Sequence, residues 1–216
     1  MAHFTVIFKS LAPHVAAGFG DQPEAELIEW AKGQSRFPER NLTQFPPRRQ
    51  LEHWCIDQCL TALGLADVQI VHDSNGKPLV QGHSQRHLSI AHHSGAEGCW
   101  ASVALADAPI GIDIETEREQ LRRIAARFLH PDEQAAIADD VASLAMAWAV
   151  KECMFKAHGP ALDFREDLRL GWPGQSAAQT AGMTGTVRGK TGQYRLRKLT
   201  HPDGLDVAWL AFGPAH

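Results

Sequence analysis

The sequence predicts an α+β fold made of two helix-bearing halves, and three observations lead to this prediction. The 216 residues suffice for one sizeable domain or for two small fused ones. Each half combines a long helical pattern with several short stretches that alternate like antiparallel strands. A turn at Asp107-Ala108-Pro109 joins two such strands near the midpoint. We therefore place the halves at residues 1–108 and 109–216, although the sequence contains no visible internal repeat.

The first half is dominated by a long helical pattern that begins at Pro46 and Pro47 and ends at Gly64. Its apolar positions form a broad face, which predicts a core helix. Before it we expect a strand over residues 3–9, a glycine-containing turn and a short helix over residues 24–32, followed by a loop. The other strands of this half are predicted over residues 68–71, 77–80, 87–91 and 99–105.

The second half opens with a strand over residues 110–114 that carries two carboxylates. Three helices are expected after it, over residues 117–129, 131–138 and 143–158. Residues 171–192 are rich in small and polar residues, which is typical of a surface loop with an edge hairpin. The short strands of this half are predicted near residues 168–170, 184–188, 194–199 and 207–212.

Composition narrows the class of protein. The chain is 44% hydrophobic and 21% charged with a net charge of −4, a balance that argues against a general nucleic-acid binder. No run approaches eighteen apolar residues, and the N-terminus lacks the pattern of a signal peptide, so we expect a cytoplasmic protein that does not bind membranes. The four cysteines form no C-x-x-C pair and are interpreted as small buried residues.

The strand Gly111-Ile112-Asp113-Ile114-Glu115 places two carboxylates side by side. Successive strand side chains alternate between faces, so Asp113 and Glu115 share one face. Two close like charges repel, and a bound cation would relieve the repulsion. Oxygen-only ligands favour Mg²⁺ over softer metals. A strand with one solvent-exposed face gives the same alternation, so this pattern alone leaves both interpretations open.

The helix from Trp148 to Lys156 supplies the charges that complete such a cluster. Trp148, Glu152 and Lys156 recur every four residues and therefore lie along one helix face. Glu152 is the candidate third metal ligand, and Lys156 is a fixed positive charge nearby. A glutamate and a lysine four residues apart are also common on ordinary helix surfaces.

Together these stretches resemble a known family. G-I-D-I-E, followed by W-A-x-K-E-x-x-x-K and then Gly159, resembles the two signature motifs of the 4'-phosphopantetheinyl transferase superfamily. The resemblance points to the larger, single-chain (Sfp-like) branch, a pseudo-dimer of two similar α+β halves with the active site at their junction. It implies Mg²⁺-dependent transfer of the phosphopantetheine arm of coenzyme A to a serine of an apo acyl, aryl or peptidyl carrier protein, with release of 3',5'-ADP.

The resemblance also implies residue roles. Asp113, Glu115 and Glu152 would hold Mg²⁺. Glu152 would act as general base, directly or through a metal-bound water, and Lys156 would neutralise charge on the leaving 3',5'-ADP. The first half would contain the coenzyme A-binding elements, and the second half the metal site and the signature helix.

Four residues are expected to hold the phosphates of coenzyme A. Arg48 lies in the first turn of the long helix, where a phosphate would suit it, although a surface arginine needs no such explanation. Lys77 belongs to a G-K-P triplet that resembles a family motif. His92 aligns with the family histidine, but a second histidine follows it, so the choice between His92 and His93 stays open. Lys151 completes the set.

Alternatives and partners remain open at this point. A non-catalytic relative that binds coenzyme A or carrier protein, or an unrelated Mg²⁺-dependent phosphohydrolase, would use similar residues. The His92-His93 pair suits a transition metal, but no further ligand lies at a suitable spacing. We expect a monomer. A carrier protein would dock on the helix over residues 117–129, which carries Arg118, Arg122, Arg123 and Arg127, unless these arginines only form a solvated face. Neither the pathway nor a preference for Mg²⁺ over Mn²⁺ follows from the sequence.

Overall fold

A computed structural model describes residues 3–11, 13–95, 97–137, 139–201, 203–204 and 207–214. The chain forms two compact units, residues 1–108 and 109–216. Each unit combines an antiparallel sheet with helices, which confirms the predicted α+β class with two helix-bearing halves. The assignment of coenzyme A-binding elements to one half, and of an active site to their junction, stays a prediction.

The first unit contains one six-stranded sheet in the order β1-β2-β6-β5-β4-β3, with every neighbouring pair antiparallel. Two α-helices and a short 3₁₀ turn at Leu42–Gln44 accompany it. The elements in chain order are β1 (His3–Leu11), β2 (His14–Asp21), α1 (Glu24–Gly33), α2 (Pro47–Ala62), β3 (Ile70–His72), β4 (Pro78–Val80), β5 (His87–Ser94) and β6 (Cys99–Ala106).

Helix α2 is the core helix of this unit, as its apolar pattern predicts. Pro47 is its first residue, where the missing N–H costs nothing. Its buried side chains include Trp54, Cys55 and Leu60, which join the core cluster with residues of the sheet. Because α2 packs against β2, β5 and β6, its N-terminal turn is held near the end of β5.

The second unit contains a five-stranded antiparallel sheet in the order β7-β11-β10-β9-β8. Four α-helices accompany it. Its elements in chain order are β7 (Ile110–Thr116), α3 (Gln120–Phe128), α4 (Pro131–Ile137), α5 (Val141–His158), β8 (Leu168–Gly171), α6 (Gln175–Ala181), β9 (Met183–Val187), β10 (Lys190–Thr200) and β11 (Val207–Pro214).

Helix α5 is the centre of the second unit. It begins after Asp140, whose carboxylate accepts a hydrogen bond from the Ser143 N–H at 2.8 Å, and it ends at Gly159 with φ 103°. Most of its side chains are buried, and it packs on β7 and β11. A helix surrounded on most sides has no continuous polar face, so the charged side chains of α5 lie among apolar ones.

Strand β7 lies unusually close to α5 at one residue. All seven residues of β7 are buried, including Asp113 and Glu115, so neither face of the strand is open to water. A Cβ atom on Gly111 would overlap the Cys153 carbonyl group of α5. Glycine at this position therefore permits the close approach that brings the helix side chains to the strand carboxylates.

Three elements differ from the sequence-based expectation. Strand β2 falls where a turn was predicted, because its run of small residues, Ala16 to Gly18 and Gly20, gives little strand signal. Those small residues fit against the side chains of Phe4 and Trp54. Helix α6 lies inside the predicted loop. Helix α3 begins at Gln120 rather than residue 117, which leaves Arg118 outside it.

In the part of the chain that the structure describes, no helix is both long and apolar enough to cross a bilayer.

The close approach at Gly111 makes a testable prediction. Gly111→Ala should lower the free energy of unfolding by about 1–3 kcal/mol, because α5 must move away from β7 to accommodate the methyl group. Gly33→Ala at the end of α1 is the control, since a Cβ there meets open space. Urea denaturation of both variants measures the difference. Equal stabilities would contradict the packing constraint.

Candidate active site

The carboxylates of β7 each bind a cationic side chain. Asp113 Oδ1 accepts a hydrogen bond from Lys156 Nζ of α5 at 2.7 Å. Glu115 Oε2 accepts one from Arg118 Nη2 at 2.6 Å, and its Oε1 accepts one from the Thr116 N–H at 2.8 Å. The strand period and the helix period thus place both predicted carboxylates and Lys156 in one cluster.

Glu152 is the third carboxylate of this cluster. Burial raises its pKa to about 7, and the charges of Asp113 and Glu115 add to the effect while Lys156 opposes it. Burial alone would lower the pKa of Lys156, but its ion pair with Asp113 and the charge of Glu152 raise it. Near neutral pH, Glu152 can therefore exchange a proton while Lys156 stays positively charged.

The donor set fits a hard divalent cation. Three carboxylates face two cations, Lys156 and Arg118, so the cluster keeps an excess of negative charge in a mostly buried place. Oxygen-only ligands of this kind suit Mg²⁺. Among the residues described, no three His, Cys, Asp or Glu side chains are already arranged to hold an ion. Asp113 and Glu115 are instead oriented towards their cationic partners.

Lys151, the neighbour of Glu152, has a different environment from the one predicted. Its side chain is 0% exposed, and its Nζ bonds to Glu133 Oε2 at 2.7 Å. The carbonyl oxygens of Phe128, Phe164 and Leu168 also accept hydrogen bonds from Nζ, at 2.6, 2.9 and 2.6 Å. This placement argues against the predicted contact with a cofactor phosphate, because four protein oxygens already surround the ammonium group.

The partner of Lys151 connects further segments. Glu133 is 3% exposed in α4, and its two oxygens accept hydrogen bonds from the His130 N–H at 2.8 Å and the Leu170 N–H at 2.5 Å. The Lys151–Glu133 pair therefore fastens the end of α3, the start of α4 and strand β8 to helix α5. Its role in the folded unit is to fix the surroundings of α5 rather than to bind a ligand directly.

The first unit brings His92 to the turn that carries the G-K-P triplet. A cavity of about 230 Å³ is lined by His92, by Gly76 and Pro78 on either side of Lys77, and by Arg40 and Arg49. Asp73 stabilises this turn, because its carboxylate accepts the Lys77 N–H at 2.8 Å. His93, next along β5, does not line this cavity. The geometry therefore favours His92 over His93 as the ligand-facing histidine.

The lining of this cavity combines apolar and cationic side chains. Phe37, Ile56 and Ile70 supply apolar surface, and the two arginines supply positive charge. Burial and the nearby arginines lower the pKa of His53, which also lines the cavity, so this imidazole stays neutral. Such a combination suits a ligand with a flat apolar group and anionic substituents.

Arg48 lines a second cavity, of about 280 Å³, beside the N-terminus of α2. Its side chain is 68% exposed, and its Nη2 donates to the Ser94 carbonyl oxygen at 3.0 Å. Ser94 of β5 and Leu51 of α2 also line this cavity. The structure thus separates Arg48 from the cavity of His92, although both side chains lie near the buried carboxylate of Glu52, at 3.6 and 3.7 Å.

Helix α3 carries three of the four arginines predicted to face a carrier protein. Arg122 is engaged by Glu119 at 2.8 Å and by Asp139 at 3.4 Å, and Arg118 precedes the helix. Arg123 and Arg127 are exposed and lie one turn apart. The exposed basic surface of α3 is therefore centred on Arg123 and Arg127.

Comparison with known proteins identifies the second unit. Residues 109–203, which contain β7, α5 and the carboxylate cluster, match the family model of the 4'-phosphopantetheinyl transferase superfamily. This part of the chain therefore resembles that superfamily. The match confirms the family indicated by the G-I-D-I-E and W-A-x-K-E-x-x-x-K motifs for this part of the chain.

A curated relative agrees with this superfamily. The chain is 31% identical over 108 residues to a protein of Bacillus pumilus described as 4'-phosphopantetheinyl transferase psf-1. The alignment covers 48% of this chain and 45% of that protein. The chain thus spans less than half the length of the curated relative it matches.

Sequence reasoning missed several residues near the predicted ones. Arg40, His53 and His72 line the cavity of His92 and were not predicted, whereas Arg49, which also lines it, follows Arg48 in the first turn of α2. Glu52 was not predicted either. It lies four residues after Arg48 and three after Arg49, a spacing that places all three on one helix face. Glu133 had no signal, because its partner Lys151 had been interpreted as a cofactor ligand.

The buried lysine in the superfamily segment makes a direct prediction. Lys151→Met should lower the free energy of unfolding by about 3–5 kcal/mol, because the buried Glu133 carboxylate loses the ammonium group that neutralises it. Adding Glu133→Gln should recover part of this loss. Denaturant titration of the single and double variants measures both values. A Lys151→Met variant with normal stability and weaker coenzyme A binding would instead favour the phosphate contact.

Proposed function

We propose that this protein is a 4'-phosphopantetheinyl transferase of the larger, Sfp-like branch. It moves the phosphopantetheine arm of coenzyme A to a serine of an apo acyl, aryl or peptidyl carrier protein and releases 3',5'-ADP. The observation that carries the proposal is the clustering of Asp113, Glu115, Glu152 and Lys156 within the segment that matches the superfamily.

The reaction requires a serine oxygen to attack the β-phosphorus of coenzyme A. The new phosphorus–oxygen bond forms as the bond to the 3',5'-ADP oxygen breaks, and the serine proton passes to Glu152. In the metal-free cluster, burial raises the pKa of Glu152 to about 7, which makes this carboxylate a better proton acceptor than an exposed glutamate. After transfer, the proton leaves Glu152 to solvent.

Lys156 faces the negative charge that develops on the leaving group. Its ion pair with Asp113 keeps it protonated and fixes its position on α5. Asp113, Glu115 and Glu152 would hold Mg²⁺. When bound, that ion neutralises pyrophosphate oxygens. Arg118, just after β7, forms an ion pair with Glu115 and holds that side chain in place.

The nucleotide end of coenzyme A is assigned to the first unit. His92 and the turn of Lys77 offer donors to phosphate oxygens, and the cavity that they line also contains the apolar and cationic side chains that suit an adenosine bisphosphate. Arg48, mostly exposed at the start of α2, is the third cation assigned to these phosphates. Lys151 is left out of this set because of its burial.

A transfer assay tests the proposal. The protein is incubated with coenzyme A, Mg²⁺ and a panel of apo carrier proteins, and the carriers are analysed by mass spectrometry. We expect one carrier to gain the mass of one phosphopantetheine arm, and Asp113→Asn to abolish the gain. Release of 3',5'-ADP without modification of any carrier would favour a phosphohydrolase. Binding of coenzyme A without either product would favour a non-catalytic relative.

The choice between the two histidines is a second prediction. His92→Ala should raise the KM for coenzyme A about tenfold with little change in kcat, because a contact to the bound phosphates is lost before and during the reaction. His93→Ala is the control, since His93 lies on the other face of β5. Steady-state kinetics at saturating carrier measures both. A larger effect at His93 would show that the motif alignment is wrong by one residue.

Carrier docking gives a third prediction. Carrier proteins are small acidic helical domains, so Arg123→Glu combined with Arg127→Glu should raise the KM for carrier about three- to tenfold, with no change in the KM for coenzyme A. Arg122 is omitted because its own ion pairs would confound the result. The salt dependence should be steeper in the wild type than in the variant.

The control for docking is Lys190→Glu, which reverses another exposed cation of the same unit. It should leave the KM for carrier unchanged. If the double variant on α3 also leaves it unchanged, the arginines form a solvated face and the carrier docks elsewhere.

A further inference from the structure

Glu52 of α2 is a buried carboxylate placed among the groups assigned to the nucleotide. It is 4% exposed. Its Oε2 accepts a hydrogen bond from Arg49 Nη1 at 2.6 Å, and its Oε1 accepts one from Ser94 Oγ at 2.8 Å. Arg48 Nε and His92 Nδ1 lie 3.6 and 3.7 Å from the same Oε1. Two groups from α2 and two from β5 therefore converge on one carboxylate.

The partners of Glu52 line two different cavities, whereas Glu52 lines neither. Arg49 and His92 line the cavity beside the G-K-P turn. Arg48 and Ser94 line the cavity at the start of α2. Glu52 thus does not itself line either cavity, so its contact with a ligand is made through the side chains that it holds.

The energetics favour an ionised carboxylate at this position. Burial by itself would raise the pKa of Glu52, but the charge of His92 and the hydrogen bonds from Ser94 and Arg49 hold it below its ordinary value. A charge kept in a buried place needs several donors to offset the lost hydration. Those donors are in turn restricted to few rotamers, which reduces the entropy that a ligand would otherwise have to remove on binding.

We propose that Glu52 is a positioning residue that orients Arg48, Arg49 and His92 to receive the phosphate groups of the nucleotide end of coenzyme A. This inference rests on the proposed function. The proposal predicts that nucleotide binding weakens when the charge of Glu52 is removed. Electrostatic repulsion alone predicts the opposite change. A carboxylate close to a phosphate repels it, so removing the charge of Glu52 should strengthen nucleotide binding if the side chain had no orienting role.

The experiment replaces Glu52 by Gln in the full chain. Isothermal titration with 3',5'-ADP should show about tenfold weaker binding than in the wild type. The KM for coenzyme A should rise by about the same factor, while kcat and the KM for carrier stay within about twofold. A merely structural role would lower stability or the active fraction without producing this separation of KM from kcat. Unchanged or tighter 3',5'-ADP binding by a folded Glu52→Gln variant overturns the proposal.

Asp57→Asn is the matched control. Asp57 is a buried carboxylate on the same helix, where it binds Arg36 Nε at 2.5 Å and Trp30 Nε1 at 3.2 Å, away from the nucleotide groups. Its replacement should lower the melting temperature and leave 3',5'-ADP affinity unchanged. If Asp57→Asn weakens binding as much as Glu52→Gln, the effect is general destabilisation and the proposal falls.

Two further readouts keep the test decisive. If Glu52→Gln fails to fold, Ser94→Ala removes one donor to the carboxylate and should weaken 3',5'-ADP binding about threefold. Unchanged affinity in that variant contradicts the orienting role. A wild-type protein that binds neither 3',5'-ADP nor coenzyme A overturns the proposed function itself. Normal wild-type transfer with unaffected Glu52 variants overturns only the role of Glu52.

Discussion

The second unit depends on the close packing of helix α5 on strand β7. Glycine at position 111 lets the helix backbone approach the strand, and that short separation allows Lys156 to reach Asp113 at 2.7 Å. The close packing of α5 on β7 also leaves Glu152 partly buried beside two other carboxylates. Burial and their charges raise its pKa to about 7. The chemical character of the cluster therefore follows from a backbone contact. A larger residue at position 111 would separate the acidic strand from its helix.

Both units use buried ionic groups, but for different purposes. The Lys151–Glu133 pair is almost fully enclosed and joins several segments to α5 through hydrogen bonds to backbone groups. Glu52 is enclosed in a similar way, yet its partners reach cavity surfaces. Isolated buried charges are costly, so each is surrounded by donors or acceptors that fix its geometry. The first arrangement joins segments of the fold, and the second holds side chains that line two cavities.

The sequence predicted the fold class and the charged cluster of the second unit, because both rest on simple periods. Alternation along β7 placed Asp113 and Glu115 on one strand face, and the four-residue spacing on α5 placed Glu152 and Lys156 on one helix face. The family resemblance then joined the two pairs into one expected cluster. The environment of Lys151 was not predictable in this way, since α5 is enclosed on most sides and no polar stripe indicates which lysine points inward. Strand β2 and helix α6 were missed because alanine and glycine fit many conformations, and only neighbouring side chains select one.

The four oxygen acceptors around Lys151 also restrict how helix α5 can move. Lys151 and Glu152 are consecutive on α5, so they project about 100° apart around the helix axis. Any rotation of the helix that improved the reach of Glu152 would withdraw the ammonium group from its four acceptors. These acceptors thus act as a rotational stop for α5. Substitutions that the second unit tolerates should accordingly fall in its loops and on the exposed face of helix α3, while the orientation of α5 about its own axis stays the same.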